Sequence, residues 1–488
     1  MTVFQKSNHG VVELTPAGLA EIKKYPGNVY SDQTQPYAFE QRTWNTYAFA
    51  SLWVGIIISI PVYMLASGLL SNGMNWWQAL FTVVLGHTIV MVPAVLLGHF
   101  GTKYGTNFPL LSKFAFGPKG NVFPTLVRGI LGCFWFGIQC WIGGTAVNSI
   151  LSVLIPGFAD LSVNVYLSFG LFLILNIIIG LKGSGFIKFI ENYLAVVLIA
   201  LCFIVIFWGS AKANGFFNVF KNPVAQGNGG NFWHAFWPAL TSMIAFDSTI
   251  ALNMSDFTRH AKSQKDQIIG QLVGSPFTTL FIVLVSIFGS VGSQIAFGTA
   301  IWEPATLVSK FDNPVVVIIF SLVILMAVLT TNVAGNLIPA GIVFSSLWGK
   351  IVKYKYAILA VGLIGVVTRP WAIIKNPDSY YNFINTVATV LGPMTGIYMV
   401  MYARTLKQPI NLVDLYRKDG GQYYYTNGWN VSGVVVLILT TIFVLIGKFV
   451  PSLHAIYDSS YILGVLLSAI LYYVISKFQK PIDAEALD

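Results

Sequence analysis

The chain has 488 residues, of which 55% are hydrophobic and only 9% charged, and its mean hydropathy is +0.71. A soluble domain is about 25% charged, so a water-facing surface cannot be assembled from this composition and a polytopic membrane protein remains. The net charge of +10 would suggest nucleic acid on a soluble chain; here it matters only through the loops that hold it.

The first 45 residues are polar and carry four basic residues before any apolar run, so they read as a cytoplasmic segment without a cleavable signal peptide. From Thr43 to Thr102 there is no Asp, Glu, Lys or Arg, and SNGMNWW at 71–77 splits this stretch into spans 1 and 2. A helix crosses a bilayer with about 20 apolar residues. Uncharged runs of that order follow at 129–159, 161–181, 192–211, 222–246, 267–302, 313–349, 379–403, 420–447 and 459–476. A shorter run at 356–368 is prolonged past Arg369 by PWAII. Twelve spans are expected.

With the N-terminus inside, twenty-one Lys and Arg fall on the inner side, against six on the outer side (Lys212, Lys221, Lys310, Arg369, Lys375 and Lys448). The positive-inside rule then puts both termini in the cytoplasm. The same bias absorbs the net charge and removes the nucleic-acid reading. Cys133, Cys140 and Cys202 all lie in apolar runs with no CxxC, so neither a disulfide framework nor a thiolate metal site is expected.

Polar side chains at membrane depth are costly and tend to face the bundle interior. In span 1, LWVGIIISIPVYML (52–65) places Gly55, Ser59 and Pro61 inside an apolar helix. Such an interruption frees backbone carbonyls that can hold an ion; a plain proline kink would read the same way. In span 3, WFGIQCWIGG (135–144) puts Trp135 and Gln139 on one helix face. An indole plane beside a primary amide suits a flat heterocycle carrying amide groups, although interhelical packing uses the same residues. In span 6, Asp247 of IAFDSTIALNMSDFTR (244–259) is the one acidic residue well inside a run, and a functional candidate for that reason. The bland alternative is a helix that starts late and leaves Asp247 near its mouth. Asp256, Arg259, Lys262 and Lys265 beyond it read as a solvated loop. In span 8, TTNVAGNLIPA (330–340) offers the hydroxyls of Thr330 and Thr331 and the amides of Asn332 and Asn336 within seven residues, hard oxygens of the kind a small alkali cation needs.

No P-loop, GxSxG or HExxH string is present, and His87, His99 and His454 stand alone, which reads as packing. Neither ATP hydrolysis nor an enzyme is expected; a carrier is, with a channel-like pore as the rival.

The chain resembles the nucleobase–cation symporter family, the first of the two families so named, from about Gln41 to about Lys477. The strings that carry the resemblance are QRTWNTYAFASLWVG (41–55), GTKYGTNFPLLSKFAFGPKG (101–120), WFGIQCWIGG (135–144), SDFTRHAKSQKDQ (255–267), GSQIAFGTAIWEP (292–304), TTNVAGNLIPA (330–340), LGPMTGIY (391–398) and INLVDLY (410–416). The fourth and fifth look most like the allantoin-permease branch. The resemblance implies an all-α membrane protein of LeuT type with about twelve helices. After a cytoplasmic segment at 1–45 it implies two inverted five-span repeats at 46–210 and 233–403. A cytoplasmic loop at 404–428, two additional spans at 429–477 and a cytoplasmic tail at 478–488 complete it.

The resemblance also implies a site: Trp135 stacks on the substrate ring, Gln139 and Asn336 read its amide edges, and Ser59 lines the pocket. Sodium is bound by backbone oxygens of Gly55, Ile58 and Ala327 and the hydroxyls of Thr330 and Thr331. Two positions depart from the family's pattern. Its second stacking Trp, in span 6, falls on Asp247 with Phe246 beside it, and Met401 stands where an Asp often precedes Tyr402. The Asp247 carboxylate can take up a proton or pair with a cation; no Lys or Arg is expected at its depth, so an internal salt bridge is not expected. The expectation is a plasma-membrane symporter, favoured as a monomer. It imports a planar nucleobase or cyclic ureide (allantoin, hydantoin, uracil or cytosine class) with sodium. The alternative is proton-coupled import of a cationic heterocycle paired to Asp247.

Overall fold

Polar caps set where the membrane helices begin. Asn45, Asn75, Asn231, Ser263, Asn313, Asn376 and Asn430 each accept a hydrogen bond from a backbone N–H of the helix that follows. These bonds satisfy donors that a helix start otherwise leaves open. The structure is a computed structural model and describes residues 4–8, 10–24, 34–182, 185–347, 352–406 and 410–478, the side chains of Asn8, 185–195, Ser346 and Thr405 aside. Lys350, Lys407 and the expected tail beyond Phe478, with Lys480, lie outside them, as does the side chain of Lys188.

Seven helices among the described residues are long and apolar enough to cross a membrane: Trp76–Tyr104, Val122–Leu154, Asn164–Lys182, Phe232–Leu252, Gln264–Phe297, Pro314–Ser345 and Pro377–Arg404. They are spans 2, 3, 4, 6, 7, 8 and 10. Span 1 is a bent pair, Thr46–Ile57 with Ile60–Ser71, and span 11 is Val431–Ile446 followed by a sharply turned short helix. Shorter apolar helices Val196–Lys212, Tyr354–Val367 and Ser460–Ile475 are spans 5, 9 and 12. Span 6 differs from the expected 222–246: Pro223–Gln226 is a separate short helix, and the span runs Phe232–Leu252. Asp247 therefore lies inside the helix, not at its mouth. Span 4 turns Leu171, Ile174 and Ile178 outward, exposed in the protein alone, as a lipid-facing stripe requires.

Spans 1, 6 and 7 are laced together at one end. Trp44 N–H donates to His260 O and Lys262 N–H to Trp44 O, each 2.9 Å. Thr46 donates from its backbone N–H and its hydroxyl to Asp266 Oδ1, at 2.9 and 2.8 Å. At the same end Arg259 lies over the Tyr37 ring and Asp256 accepts from Phe108 N–H, so this loop is an anchored junction and not merely a solvated one.

The N-terminal residues add a small hairpin, Gln5–Asn8 with Val11–Leu14, and a helix, Pro16–Lys24. The all-α expectation omits the hairpin. Gln5 accepts from Leu412 N–H at 3.0 Å, which ties it to the loop between spans 10 and 11. Lys113, in the short helix Phe108–Gly120, is buried under the same loop and donates to Leu415 O at 2.6 Å and to Arg417 O.

Burial pushes the Lys113 amine down to about 7, against the opposing pull of Asp414. The folded value lies below the unfolded 10.5, so the unfolded chain binds this proton more tightly. Stability therefore rises as pH goes from about 7 towards 10.5. The apparent unfolding temperature of the wild type, measured against Lys113→Met, should climb between those limits. A difference independent of pH would contradict this placement.

Candidate functional site

Span 1 is broken where its sequence is. The two halves meet at 57°, and Pro61, near the start of the second, has no N–H for the helical ladder. Ser59 N–H donates to Ile57 O at 2.8 Å. In an unbroken helix that donor would serve Gly55 O, so the break frees the Gly55 carbonyl. Ser59 itself is extended (φ −140°, ψ 153°) and Ile58 leaves the helix at φ −74°, ψ 75°. Ile58, Ser59 and Ala327 line one largely apolar cavity of about 80 Å³ between spans 1, 5, 7 and 8, beside Cys202. Gly55, Thr330 and Thr331 are not among its lining residues.

Span 8 packs along span 3, and polar side chains join the two. Thr331 Oγ1 donates towards Gln139 Oε1 at 3.0 Å and Ala327 O at 2.8 Å, and Thr330 Oγ1 lies 3.1 Å from the same carbonyl. Three of the five expected ion ligands thus converge on one turn of helix, and one touches the expected substrate amide. Immediately after, Val333–Leu337 forms a turn of π-helix, a local widening common at functional sites. Asn336 lies in it and donates to Asn332 Oδ1 at 3.0 Å. Asn332 is fully buried and donates towards Asn176 Oδ1 of span 4 at 3.2 Å and towards Phe136 O and Cys140 Sγ of span 3, each at 3.3 Å. Its position four residues from Asn336 therefore serves the joint between spans, while Asn336 is the outer member of the chain.

Trp135 is packed among rings: Phe246 of span 6 at 5.1 Å, Phe383 of span 10 at 5.7 Å and Tyr380 of span 10 at 6.4 Å, all edge to face. Trp302, in the loop before span 8, meets Tyr380 at 6.1 Å, and its carbonyl accepts from Ser67 of span 1. Phe246 turns inward to Trp135. Asp247, one residue on, meets His87 Nδ1 of span 2, both side chains being fully buried. The expectation of Asp247 without an internal partner fails here, because the sequence shows no Lys or Arg at this depth and His87 reads as isolated. No hydrogen bond or ring contact joins Ser59 to Trp135 among the described residues.

The family described as permease for cytosine/purines, uracil, thiamine, allantoin matches residues 36–464. This chain belongs to that family, the first nucleobase–cation symporter family. It is 31% identical over 475 residues to the allantoin permease of Bacillus subtilis, covering 95% of this chain and 96% of that one. The inward-facing structure of Mhp1 superposes with a TM-score of 0.79 at 20% identity, over 95% of this chain and 97% of Mhp1. Mhp1 in a closed conformation with bromovinylhydantoin bound, described as a nucleobase-cation-symport-1 family transporter, gives 0.73 at 22% identity over 94% and 98% of the two chains. The fold is therefore the LeuT type that the resemblance implies, and the chain is a multi-pass permease rather than an enzyme.

Within the permease, sequence reasoning missed His87, Asn176, Phe383 and the Trp302–Tyr380 contact. Their common signal is a polar or aromatic side chain in an uncharged span, which by itself does not tell a contact from a lipid face. The Asn332 joint is testable. Asn332→Ala leaves Asn176 and Asn336 without their partner and should cost about 1–3 kcal/mol, read as a lower unfolding temperature in detergent. Asn336→Ala, at the end of the chain, should cost less. Equal losses, or none, would contradict the joint.

Proposed function

We propose that the permease imports a planar nucleobase or related cyclic ureide, of the allantoin, hydantoin, uracil or cytosine class, with sodium, by alternating access. One observation carries the reading: the Trp135 and Phe246 rings meet in the middle of the bundle at 5.1 Å, one helical turn from the Gln139 amide. Stacking a base on an aromatic ring contributes about 1–3 kcal/mol. The Gln139 oxygen is engaged by Thr331, which leaves its NH₂ to donate to a substrate carbonyl, and Asn336 can read a second edge. Ser59 lines the pocket from the broken span in this reading. The Asp247 carboxylate is turned to His87, which favours a neutral ring over a cationic one.

The donor set suits sodium. Two hydroxyls, Thr330 and Thr331, gather around the Ala327 carbonyl, and in this reading the break in span 1 contributes the backbone oxygens of Gly55 and Ile58, Ile58 lining one cavity with Ala327. These five are hard oxygens, the ligand type that a hard cation takes. When bound, the ion would bridge spans 1 and 8 and hold the pocket in one arrangement. The repeats are assigned to 46–210 and 233–403, with the loop at 404–428 and the added spans at 429–477. The membrane is the plasma membrane with both termini in the cytoplasm, as the Lys and Arg bias supports.

Uptake into proteoliposomes tests the whole reading. A sodium gradient should drive one compound among uracil, cytosine, hydantoin and allantoin above its outside concentration, and choline at fixed pH should abolish this. Trp135→Ala should weaken binding about tenfold or more. Thr330→Ala with Thr331→Ala should remove the sodium-dependent rise in unfolding temperature. Uptake indifferent to sodium would contradict the coupling, and uptake that only equilibrates would contradict a symporter.

A further inference from the structure

A carboxylate and an imidazole meet in the buried interior of the bundle, outside the ion and substrate ligands proposed above. His87 Nδ1 and Asp247 Oδ2 are in direct contact and both side chains are fully buried. The other two polar atoms, His87 Nε2 and Asp247 Oδ1, have no hydrogen-bond partner among the described residues. Such a pair is a poor way to gain stability, because the cost of removing it from water rivals the attraction recovered, and apolar side chains of similar volume hold a crossing as well or better. Its effect is directional instead.

Spans 2 and 6 touch at this level through Gly86, where an added Cβ would lie 2.3 Å from Met243 Cβ. The helices are therefore close enough for His87 to reach one particular residue of span 6. Successive residues of a helix diverge by about 100° around its axis. Fixing Asp247 on span 2 consequently turns Phe246 toward span 3. The nearer ring contact of Phe246 is with Trp135 of span 3, edge to face at 5.1 Å, and the His87 ring borders it at 6.5 Å. A rotation of span 6 by one residue would instead present Asp247 to Trp135, a carboxylate in place of an aromatic wall.

We propose that His87 and Asp247 are a positioning pair that sets the rotation of span 6, so that Phe246 completes the aromatic wall opposite Trp135 and thereby sets substrate affinity. The proposal rests on the reading of Trp135 and Phe246 as the substrate's walls. Neither His87 nor Asp247 touches the ring in this scheme; they act through Phe246.

The experiment is a double-mutant cycle on the purified full-length permease, read by equilibrium binding of radiolabelled allantoin and uracil, with the ligand-free unfolding temperature followed in parallel. Asp247→Ala should weaken binding about tenfold, and should add nothing in a Phe246→Ala background, because the two replacements remove the same wall. Asp247→Asn keeps a hydrogen bond to His87 and should retain affinity within about threefold. Should Asp247→Ala fail to fold, His87→Ala breaks the pair from the other side and must give the same loss and the same coupling to Phe246. Additive losses in the Phe246→Ala background would overturn the proposal. So would loss of binding in Asp247→Asn, which would mean that the charge itself meets the substrate. If Trp135→Ala weakens binding while the pair's variants do not, the pair has no positioning role and the site reading stands. If Trp135→Ala leaves affinity unchanged, the site reading falls and the proposal with it.

Discussion

In a bilayer every backbone N–H and C=O must find a partner inside the protein, and this constraint organises the molecule. A helix can be interrupted at membrane depth only where other helices enclose the interruption. Span 1 breaks at Ile58 and Ser59 and span 8 widens at Val333–Leu337. Ile58, Val333, Asn336 and Leu337 are buried at these interruptions while Ala334 and Gly335 are exposed, and hydroxyl and amide side chains gather beside them. The candidate site is thus a consequence of where the chain could be broken at all, and the remaining spans supply the enclosure that makes the breaks tolerable.

Two sets of contacts surround these breaks, and they differ in kind. Spans 3, 4 and 8 are joined by a chain of amides, Asn176 to Asn332 to Asn336, beside the Gln139–Thr331 bond. Hydrogen bonds of this kind are directional and fix the register of one helix against another. Spans 1, 6 and 7 are joined at their polar ends by the strand-like pairing of Trp44 with the 260–262 loop and by Asp266 on Thr46. Span 2 meets span 6 deeper, through His87 and Asp247. The Trp135–Phe246 ring contact lies where one set faces the other. Edge-to-face rings are held by weak, non-covalent attraction of about 1 kcal/mol.

Much of this is legible in the chain. Composition excludes a soluble surface, and the spacing of uncharged runs yields twelve spans because the bilayer's thickness fixes the length of a helix that crosses it. Ser59 and Pro61 mark the break in span 1 because proline lacks the donor that the ladder needs. Trp135 with Gln139 and Asn332 with Asn336 are visible as pairs because residues four apart share a helix face. The family's motifs carry the fold with them.

The rotation of each helix about its own axis is not legible, because in a bundle it is set by contacts between spans far apart in sequence. Asp247 and Phe246 are neighbours in the chain, and an alignment cannot say which of them faces Trp135. His87, 160 positions from Asp247, decides it, and nothing near either residue announces the other. Likewise Asn332 looks like a site residue until Asn176 of span 4 is found against it. Which runs cross the membrane, the break at Ser59 and Pro61 and the faces that carry polar groups follow from local chemistry against a fixed solvent, and so can be read along the chain. Only the tertiary structure decided which polar group meets which, since hydrogen bonds and ring contacts reach a few ångströms in space and any distance along the chain.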